Sequence, residues 1–153
     1  MINIKRIDST NSAFQNLVSL LDAELKILDG EDHLFYAQFN HINSINHVLI
    51  AYKDHQAVAC GAFKNYDEKT VEIKRMFVHS NHRGNGIGQQ ILLGLEEWAA
   101  ELGFTNCILE TGIKQPQAIR LYEKTGYRRI SNYGQYENKA NSICMCKKLI
   151  SDS

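Results

Sequence analysis

The sequence predicts an α/β fold: a mixed central sheet of about six to seven strands with helices on both faces. Two observations lead to this prediction. Short apolar runs typical of strands alternate along the 153 residues with amphipathic stretches of helical period. Three of the strand-like runs follow one another with only turn residues between them, which indicates an antiparallel meander. At this length we expect one domain covering residues 1–153.

The first half of the chain is predicted to hold a strand, a long helix and the meander. Alternation in INIKRI predicts the opening strand, and DSTNS supplies N-cap residues for the helix that follows. Gly30 is expected to end that helix. Its apolar face consists of Phe14, Leu17, Val18, Leu21, Leu25 and Leu28. DHLFYAQF predicts a short second helix, and the meander covers residues 47–78 with turns at 53–56 and 65–69.

The second half is predicted to alternate helices with strands. Apolar residues at helical spacing predict a helix over residues 88–102, closed by Gly103. NCILET predicts a strand, and the next helix runs from Pro116 to Gly126. Two more strands follow, near residues 127–130 and 143–149.

Alternation in the strand TVEIKRMFV predicts which side chains share a face of the sheet. One face is predicted to carry Glu72, Lys74, Met76 and Val78. The other is predicted to carry Val71, Ile73, Arg75 and Phe77.

Composition and charge exclude several classes of function. Lys plus Arg and Asp plus Glu number 17 each, so we expect no nucleic-acid partner and no membrane partner. No apolar run approaches the roughly 20 residues that span a bilayer, and no signal-peptide core is visible, so a cytoplasmic protein is expected. Neither the histidines nor the cysteines show the paired spacing of a metal site, so no metal is expected.

Three glycines at alternating positions, Gly84, Gly86 and Gly88, stand at the start of the helix predicted over 88–102. Backbone N–H groups at a helix start lack intrahelical partners and carry the positive end of the dipole, so this entrance favours a phosphate. The glycine spacing fits neither the Walker loop nor the dinucleotide fingerprint. A tight strand-to-helix turn that binds no ligand is the alternative.

Two blocks of sequence resemble the GNAT superfamily of acetyl-CoA-dependent N-acetyltransferases, in its small bacterial single-domain type. VHSNHRGNGIG is similar to the family's acetyl-CoA loop, Gln/Arg-x-x-Gly-x-Gly/Ala, through Arg83, Gly86 and Gly88. QPQAIRLYEKTGY is similar to Asn-x-x-Ala-x-x-Leu-Tyr-x-x-x-Gly-Phe/Tyr through five matching residues: Ala118, Leu121, Tyr122, Gly126 and Tyr127. The resemblance implies the GNAT acyl-CoA N-acyltransferase fold. It also implies acetyl-CoA as co-substrate, without a metal.

The resemblance places the coenzyme A site on two segments. The pyrophosphate would lie on the amides of residues 83–89, with the charge of Arg83 beside it. The end of the strand before the loop would bind the pantetheine arm, which requires N–H groups left free where two parallel strands separate. Gln115 stands where the family usually has Asn and offers the same amide. The candidates are Met76, Phe77, Val78, Arg83, Gly84, Asn85, Gly86, Ile87, Gly88, Gln89 and Gln115.

Acetyl transfer to an amine needs a neutral amine, a polarised carbonyl and a proton for the leaving thiolate. Tyr122 is the candidate acid, because a tyrosine hydroxyl titrates at about 10 and a thiol at about 8.5; packing in the core is the alternative. Glu72 is the candidate base, because some members of the family carry Glu in this strand. An ion pair of Glu72 with Lys74 or Arg75 is the alternative.

The acceptor pocket is expected from residues around the core. Glu110 and Thr111 end the strand NCILET and could orient the amine, or could make structural hydrogen bonds. Polar-tipped residues in predicted connections are further candidates, although such residues also pack as lids over a core: Asp32, His33, Tyr36, Tyr133 and Tyr136. An acidic residue such as Asp32 would suit an amine, and Arg75 or Arg128 would suit a carboxylate.

We therefore expect an N-acetyltransferase that acts on a small-molecule amine or amino-acid derivative by direct attack in a ternary complex. Three alternatives stay open: a non-catalytic acyl-CoA sensor, a protein or peptide N-acetyltransferase, and a nucleotide-binding or nucleic-acid-binding module. Neutral charge and the missing Walker residues disfavour the last of these. The sequence also leaves open a homodimer.

Overall fold

The computed structural model describes residues 1–37 and 45–149, and its elements follow the predicted order. The strands are β1 (Ile2–Ile7), β2 (His47–Lys53), β3 (Gln56–Asn65), β4 (Thr70–Val78), β5 (Asn106–Gly112), β6 (Arg128–Ile130) and β7 (Ser142–Lys148). The helices are α1 (Ser12–Asp29), α2 (His33–Ala37), α3 (Ile87–Glu101) and α4 (Pro116–Lys124). The second helix is confirmed over α2, and the end of its predicted segment, residues 38 and 39, lies outside the described residues.

The described strands form one mixed sheet in the order β1-β2-β3-β4-β5-β7-β6, which confirms the predicted fold class. The strands β4 and β5 pair in parallel, and all other neighbours in that order are antiparallel. The parallel ladder is short: its last pair is Glu72 with Ile108. Beyond that pair β4 and β5 separate, so the second half of β4 lacks partners on the β5 side. The predicted separation of two parallel strands is therefore present.

Helices cover both faces of the sheet. On one face α1 buries Phe14, Leu17, Val18 and Leu21 against residues of β2, β3 and β4. On the other face α3 and α4 pack on residues that alternate with those along the same strands. Neighbours in β2 illustrate this, because Val48 packs toward α1 and Leu49 packs toward α3. Because both faces of the central strands are covered by helices, β2 and β3 contain continuous apolar runs and do not alternate apolar with polar residues.

Local chemistry sets the ends of α1. The side chain of Asn11 accepts a hydrogen bond from the backbone N–H of Phe14 at 3.0 Å, which caps the N-terminus. Gly30 follows the last residue at φ 55°, a conformation that favours glycine, and so ends the helix where the sequence predicts. The helix consequently ends at a short turn, residues 30–32, that leads into α2.

The predicted alternation along β4 is wrong beyond Lys74. The register against β3 changes from Ala62 opposite Lys74 to Cys60 opposite Phe77, so β4 contains one extra residue. This β-bulge includes Arg75, whose φ is 59°. Met76 therefore packs with the α3 face and Phe77 with the α1 face. The sequence predicted that Glu72, Lys74 and Met76 share one face of the sheet. Because of the bulge, Met76 lies on the opposite face from Glu72 and Lys74.

Candidate active site

A cleft of about 740 Å³ lies between the end of β4, the N-terminus of α3 and the helix α4. We call it the glycine-loop cleft. All but one of the residues expected to bind the cofactor line it: Met76, Phe77, Val78, Arg83, Gly84, Gly86, Ile87, Gly88, Gln89 and Gln115. The exception is Asn85, whose side-chain amide donates to the carbonyl of His82 at 3.5 Å. The two predicted segments therefore meet at one cleft.

The glycines have two different roles in this cleft. Gly84 and Gly86 have φ of 84° and 76°, and a Cβ on either would meet nothing within 4 Å, so their backbone is open to a ligand. Gly86 precedes α3 without a side-chain cap, which leaves the first N–H groups of the helix available. A Cβ on Gly88 would instead lie 3.3 Å from Leu121, so Gly88 allows α3 to approach α4. The loop offers N–H groups to an anion.

Basic side chains surround the glycine-loop cleft, and the sequence analysis missed several of them. Lys114, Arg120 and Lys124 all line it. Arg120 and Lys124 lie four residues apart on α4 and share one face, a spacing that could have indicated a phosphate site in the sequence. Arg83 donates to both carboxylate oxygens of Glu24, at 3.0 and 2.8 Å, and to the carbonyl of Val78 at 2.8 Å.

A smaller space of about 100 Å³ lies where β4 and β5 separate. We call it the strand-end pocket. It is lined by Tyr122 and by several of the residues expected to bind substrate: Tyr36, Arg75, Glu110, Thr111 and Tyr136. Leu21, Met76, Gln115 and Tyr122 line both spaces, so the strand-end pocket and the glycine-loop cleft adjoin. A ligand in the glycine-loop cleft and a ligand in the strand-end pocket would therefore both lie next to Tyr122.

Tyr122 belongs to α4 and is 7% exposed. Burial raises the pKa of its hydroxyl, and the negative charge of Glu110 raises that pKa further. Its ring makes an edge contact with Tyr127 at a centroid distance of 6.0 Å. The helix therefore keeps a protonated hydroxyl between the two spaces.

Glu110 lies in β5 and lines the strand-end pocket. Burial raises the pKa of its carboxyl to about 7, against the opposing effects of a hydrogen bond with Ser142 and the charge of Lys74. Ser142 is buried in β7, and its Oγ also lies 2.6 Å from the hydroxyl of Tyr36. Sequence reasoning missed Ser142, because its position opposite Gly112 depends on the pairing of β5 with β7. These contacts hold a carboxyl that changes charge near neutral pH.

Glu72 lies apart from both spaces, and it is not among the residues that line either of them. It is 2% exposed and accepts a hydrogen bond from the hydroxyl of Tyr133. The ammonium groups of Lys74 and Lys64 lie 3.5 and 3.7 Å from its Oε1. Its oxygens are therefore engaged by neighbouring protein groups.

The other three predicted substrate residues, like Glu72, lie outside both spaces. The hydroxyl of Tyr133 donates a hydrogen bond to Glu72, and Asp32 accepts a hydrogen bond from the side-chain amide of Asn141 at 2.6 Å. Asp32, His33 and Tyr133 do not line the glycine-loop cleft or the strand-end pocket. Asp29, which the sequence analysis did not single out, lines the strand-end pocket, and burial raises the pKa of its carboxyl.

Residues 1–37 and 45–149 contain neither a side-chain cluster suited to a metal ion nor a helix suited to a bilayer. No cluster of three or more His, Cys, Asp or Glu side chains is placed to hold a metal ion in that part of the chain. None of its helices has both the length and the apolar character needed to cross a bilayer.

Comparison with known proteins decides the family. Residues 14–127 match the model of the acetyltransferase (GNAT) family. The chain belongs to the GNAT family. It is 32% identical over 142 residues to an IAA acetyltransferase of Azospirillum brasilense. The alignment covers 85% of this chain and 93% of that relative. The expected family is confirmed, and the chain is a GNAT N-acetyltransferase.

Solved structures confirm the GNAT fold. A protein from Klebsiella pneumoniae assigned as an acyl-CoA N-acyltransferase aligns with a TM-score of 0.83 at 30% identity, covering 98% of this chain and 99% of the other. A GNAT acetyltransferase from Elizabethkingia anophelis with acetyl-CoA bound aligns with a TM-score of 0.71 at 17% identity, covering 97% and 98%. At that lower identity the likeness concerns the fold alone.

Proposed function

We propose that this GNAT enzyme transfers an acetyl group from acetyl-CoA to the primary amine of a small molecule, by direct attack in a ternary complex. The main support is the junction at Tyr122, where a cleft suited to a phosphate-bearing donor adjoins a small polar pocket suited to an acceptor. The strand-end pocket has a volume of only about 100 Å³, which favours a small acceptor over a peptide.

The residues of the glycine-loop cleft fit acetyl-CoA, which would supply the acetyl group as a thioester. Backbone N–H groups around Gly84 and Gly86 would hold the pyrophosphate, and the basic side chains of α4 would add charge. The end of β4, from Met76 to Val78, would hold the pantetheine arm with N–H groups that face away from β3. A protein of the same fold from Elizabethkingia anophelis binds acetyl-CoA, so the fold can accommodate this co-substrate.

We assign the base to Glu110 in place of Glu72. Glu110 lines the strand-end pocket, and a carboxyl with a pKa of about 7 accepts a proton from an amine more readily than an ordinary carboxylate does. Glu72 has its oxygens engaged by Tyr133 and Lys74 and lines neither space. In this assignment Glu110 takes the amine proton, and Ser142 positions the carboxyl.

Tyr122 acts on the leaving sulfur as a hydrogen-bond donor. Its pKa is raised by burial, so complete transfer of its proton to a thiolate, which titrates at about 8.5, is unfavourable. A hydroxyl that keeps its proton can still stabilise the negative charge that develops on sulfur. The raised pKa therefore favours stabilisation of the thiolate over the complete proton transfer expected from the sequence.

The proposed function is tested by release of free thiol from acetyl-CoA over a panel of small primary amines. Tyr122→Phe should lower kcat about 100-fold with little change in the KM for acetyl-CoA, because the hydroxyl serves the reaction more than binding. Tyr127→Phe is the matched control, since that buried hydroxyl donates to Glu96 at 3.0 Å, away from both spaces. Binding of acetyl-CoA without thiol release on any amine would instead indicate a sensor.

A further inference from the structure

Building on the proposed function, we propose that the acceptor carries a carboxylate beside its amine, as an α-amino acid does, and that Arg75 binds this carboxylate. Arg75 lines the strand-end pocket together with Glu110.

The first support is an unpartnered donor on Arg75, a residue that lines the pocket. The side chain of Arg75 is only 3% exposed, and its Nη2 donates to Asp22 of α1. Its Nε is also buried and has no hydrogen-bond partner among the described residues. A buried N–H of a charged group costs free energy when it is left unpaired, so a ligand oxygen at Nε would stabilise this arrangement. A carboxylate is the strongest such acceptor, because the hydrogen bond is then charge-assisted.

The second support is the backbone that places Arg75 there. Arg75 lies in the β-bulge of β4 with a φ of 59°, a left-handed conformation that is unfavourable for a residue with a Cβ. The predicted alternation without the bulge would put Arg75 on the same face as Ile73, in the apolar core beneath α3. The bulge instead directs its side chain to Asp22 of α1, on the pocket side. The chain thus adopts a strained conformation that keeps a guanidinium at the pocket.

The third support is the pairing of opposite charges in one small pocket. Glu110 and Asp29 provide carboxyls that suit an amine, while Arg75 and Lys74 provide cations, and all four residues line the space. The Lys74 ammonium is already compensated, because it lies 3.5 Å from Glu72. A ligand with an amine alone would leave the Nε of Arg75 unpaired, and a ligand with a carboxylate alone would face Glu110. A zwitterion satisfies both requirements, and other ligands are disfavoured by the group left unpaired.

The test compares three matched acceptors built on one side chain: an α-amino acid, its carboxamide and the corresponding amine without the carboxyl carbon. We expect kcat/KM to fall about 10- to 100-fold from the acid to the amine, with the amide between them, because the amide oxygen still accepts a hydrogen bond without a charge. The comparison is made in the native enzyme, so it does not depend on whether a variant folds.

Two variants extend the test to the residue. Arg75→Lys keeps a cation but removes the Nε donor, so the ratio of kcat/KM on the acid to kcat/KM on the amine should fall to within about threefold. Asp22→Asn is the control, since it alters the partner of Nη2 and leaves Nε in place, so the ratio should persist. Thermal unfolding of both variants checks that the fold is retained.

The outcomes separate this inference from the function on which it rests. Equal or better turnover of the amine than of the acid would overturn the role of Arg75 and leave the acetyltransferase intact. An unchanged acid preference in a folded Arg75→Lys variant would also overturn that role. Absence of thiol release on all three acceptors, and on the wider amine panel, would instead contradict the proposed function.

Discussion

The glycine-loop cleft and the strand-end pocket are built from different parts of the chain. The glycine-loop cleft takes its predicted ligand contacts from backbone N–H groups of two short segments, 76–78 and 83–89. The strand-end pocket takes its polar groups from side chains of α1, α2, β4, β5 and α4, with Ser142 of β7 behind them. A surface made of backbone recognises a common group such as a phosphate, whereas a surface made of side chains changes with each substitution. The difference explains why the donor could be inferred before the acceptor.

Substitutions in the two spaces should affect different kinetic parameters. A change in the glycine-loop cleft should act through the affinity for acetyl-CoA, because its proposed contacts hold the non-reacting part of the donor. A change in the strand-end pocket should act through the chemical step or the choice of acceptor. The next three predictions test this separation.

The largest effect is expected from Glu110→Gln. Removal of the base should lower kcat/KM about 1000-fold, while the KM for acetyl-CoA stays nearly constant. In the native enzyme the carboxylate is the active form, so kcat/KM should rise with pH through a pKa of about 7 and level off above it. The residual activity of the variant should lack this step. Steady-state rates across that pH range check both statements, and a native profile that is flat around pH 7 would contradict the assignment.

The difference between the glycine-loop cleft and the strand-end pocket also determines which site residues could be predicted from the sequence. The glycines were identified from their spacing before a predicted helix, and Tyr122 from the resemblance of its segment to the second GNAT motif, so both depend on one local segment each. Glu110 was placed among the substrate residues rather than as the base, because its pKa depends on burial between β4, β7 and α4. The alternation rule failed in β4 because a bulge changes the face of every residue after it, and the residue types there do not reveal the bulge.

Residues that act through pairing between distant segments could not be found from spacing. Ser142 forms a hydrogen bond with Glu110 because β7 is antiparallel to β5. Asp29 lines the strand-end pocket as the last residue of α1. Nothing in the local sequence of either residue indicates this. The seven strands and the helices on both faces were predictable, since each depends on the period of apolar residues within one element.

An intermediate effect is expected from Gly86→Ala in the glycine-loop cleft. The substitution places a Cβ at a φ of 76° beside the N–H groups that are proposed to hold pyrophosphate, so the KM for acetyl-CoA should rise about 10-fold. Gly103→Ala is a matched control, because Gly103 has a φ of 94°, equally open surroundings and a position outside the lining of the cleft.

Both variants should lose a similar stability, about 1 to 2 kcal/mol, because both force a Cβ into the left-handed region. Thermal unfolding measures that loss, and steady-state kinetics measure the KM. Equal rises of KM in the two variants would show that backbone strain, rather than loss of the anion site, accounts for the effect.

The smallest effect on activity is expected from Glu72→Gln, the residue that the sequence favoured as base. Its carboxylate is engaged by Tyr133 and Lys74 and lines neither space, so kcat/KM should change by less than about threefold, far below the loss of a base. The free energy of unfolding should fall by about 1 to 3 kcal/mol, because Lys74 loses the charge that compensates it. Tyr133→Phe removes the hydrogen bond to the same carboxylate and should also lower the free energy of unfolding. A loss of activity as large as that of Glu110→Gln, with the pH step abolished, would return the base to Glu72 and place the proton transfer outside the strand-end pocket.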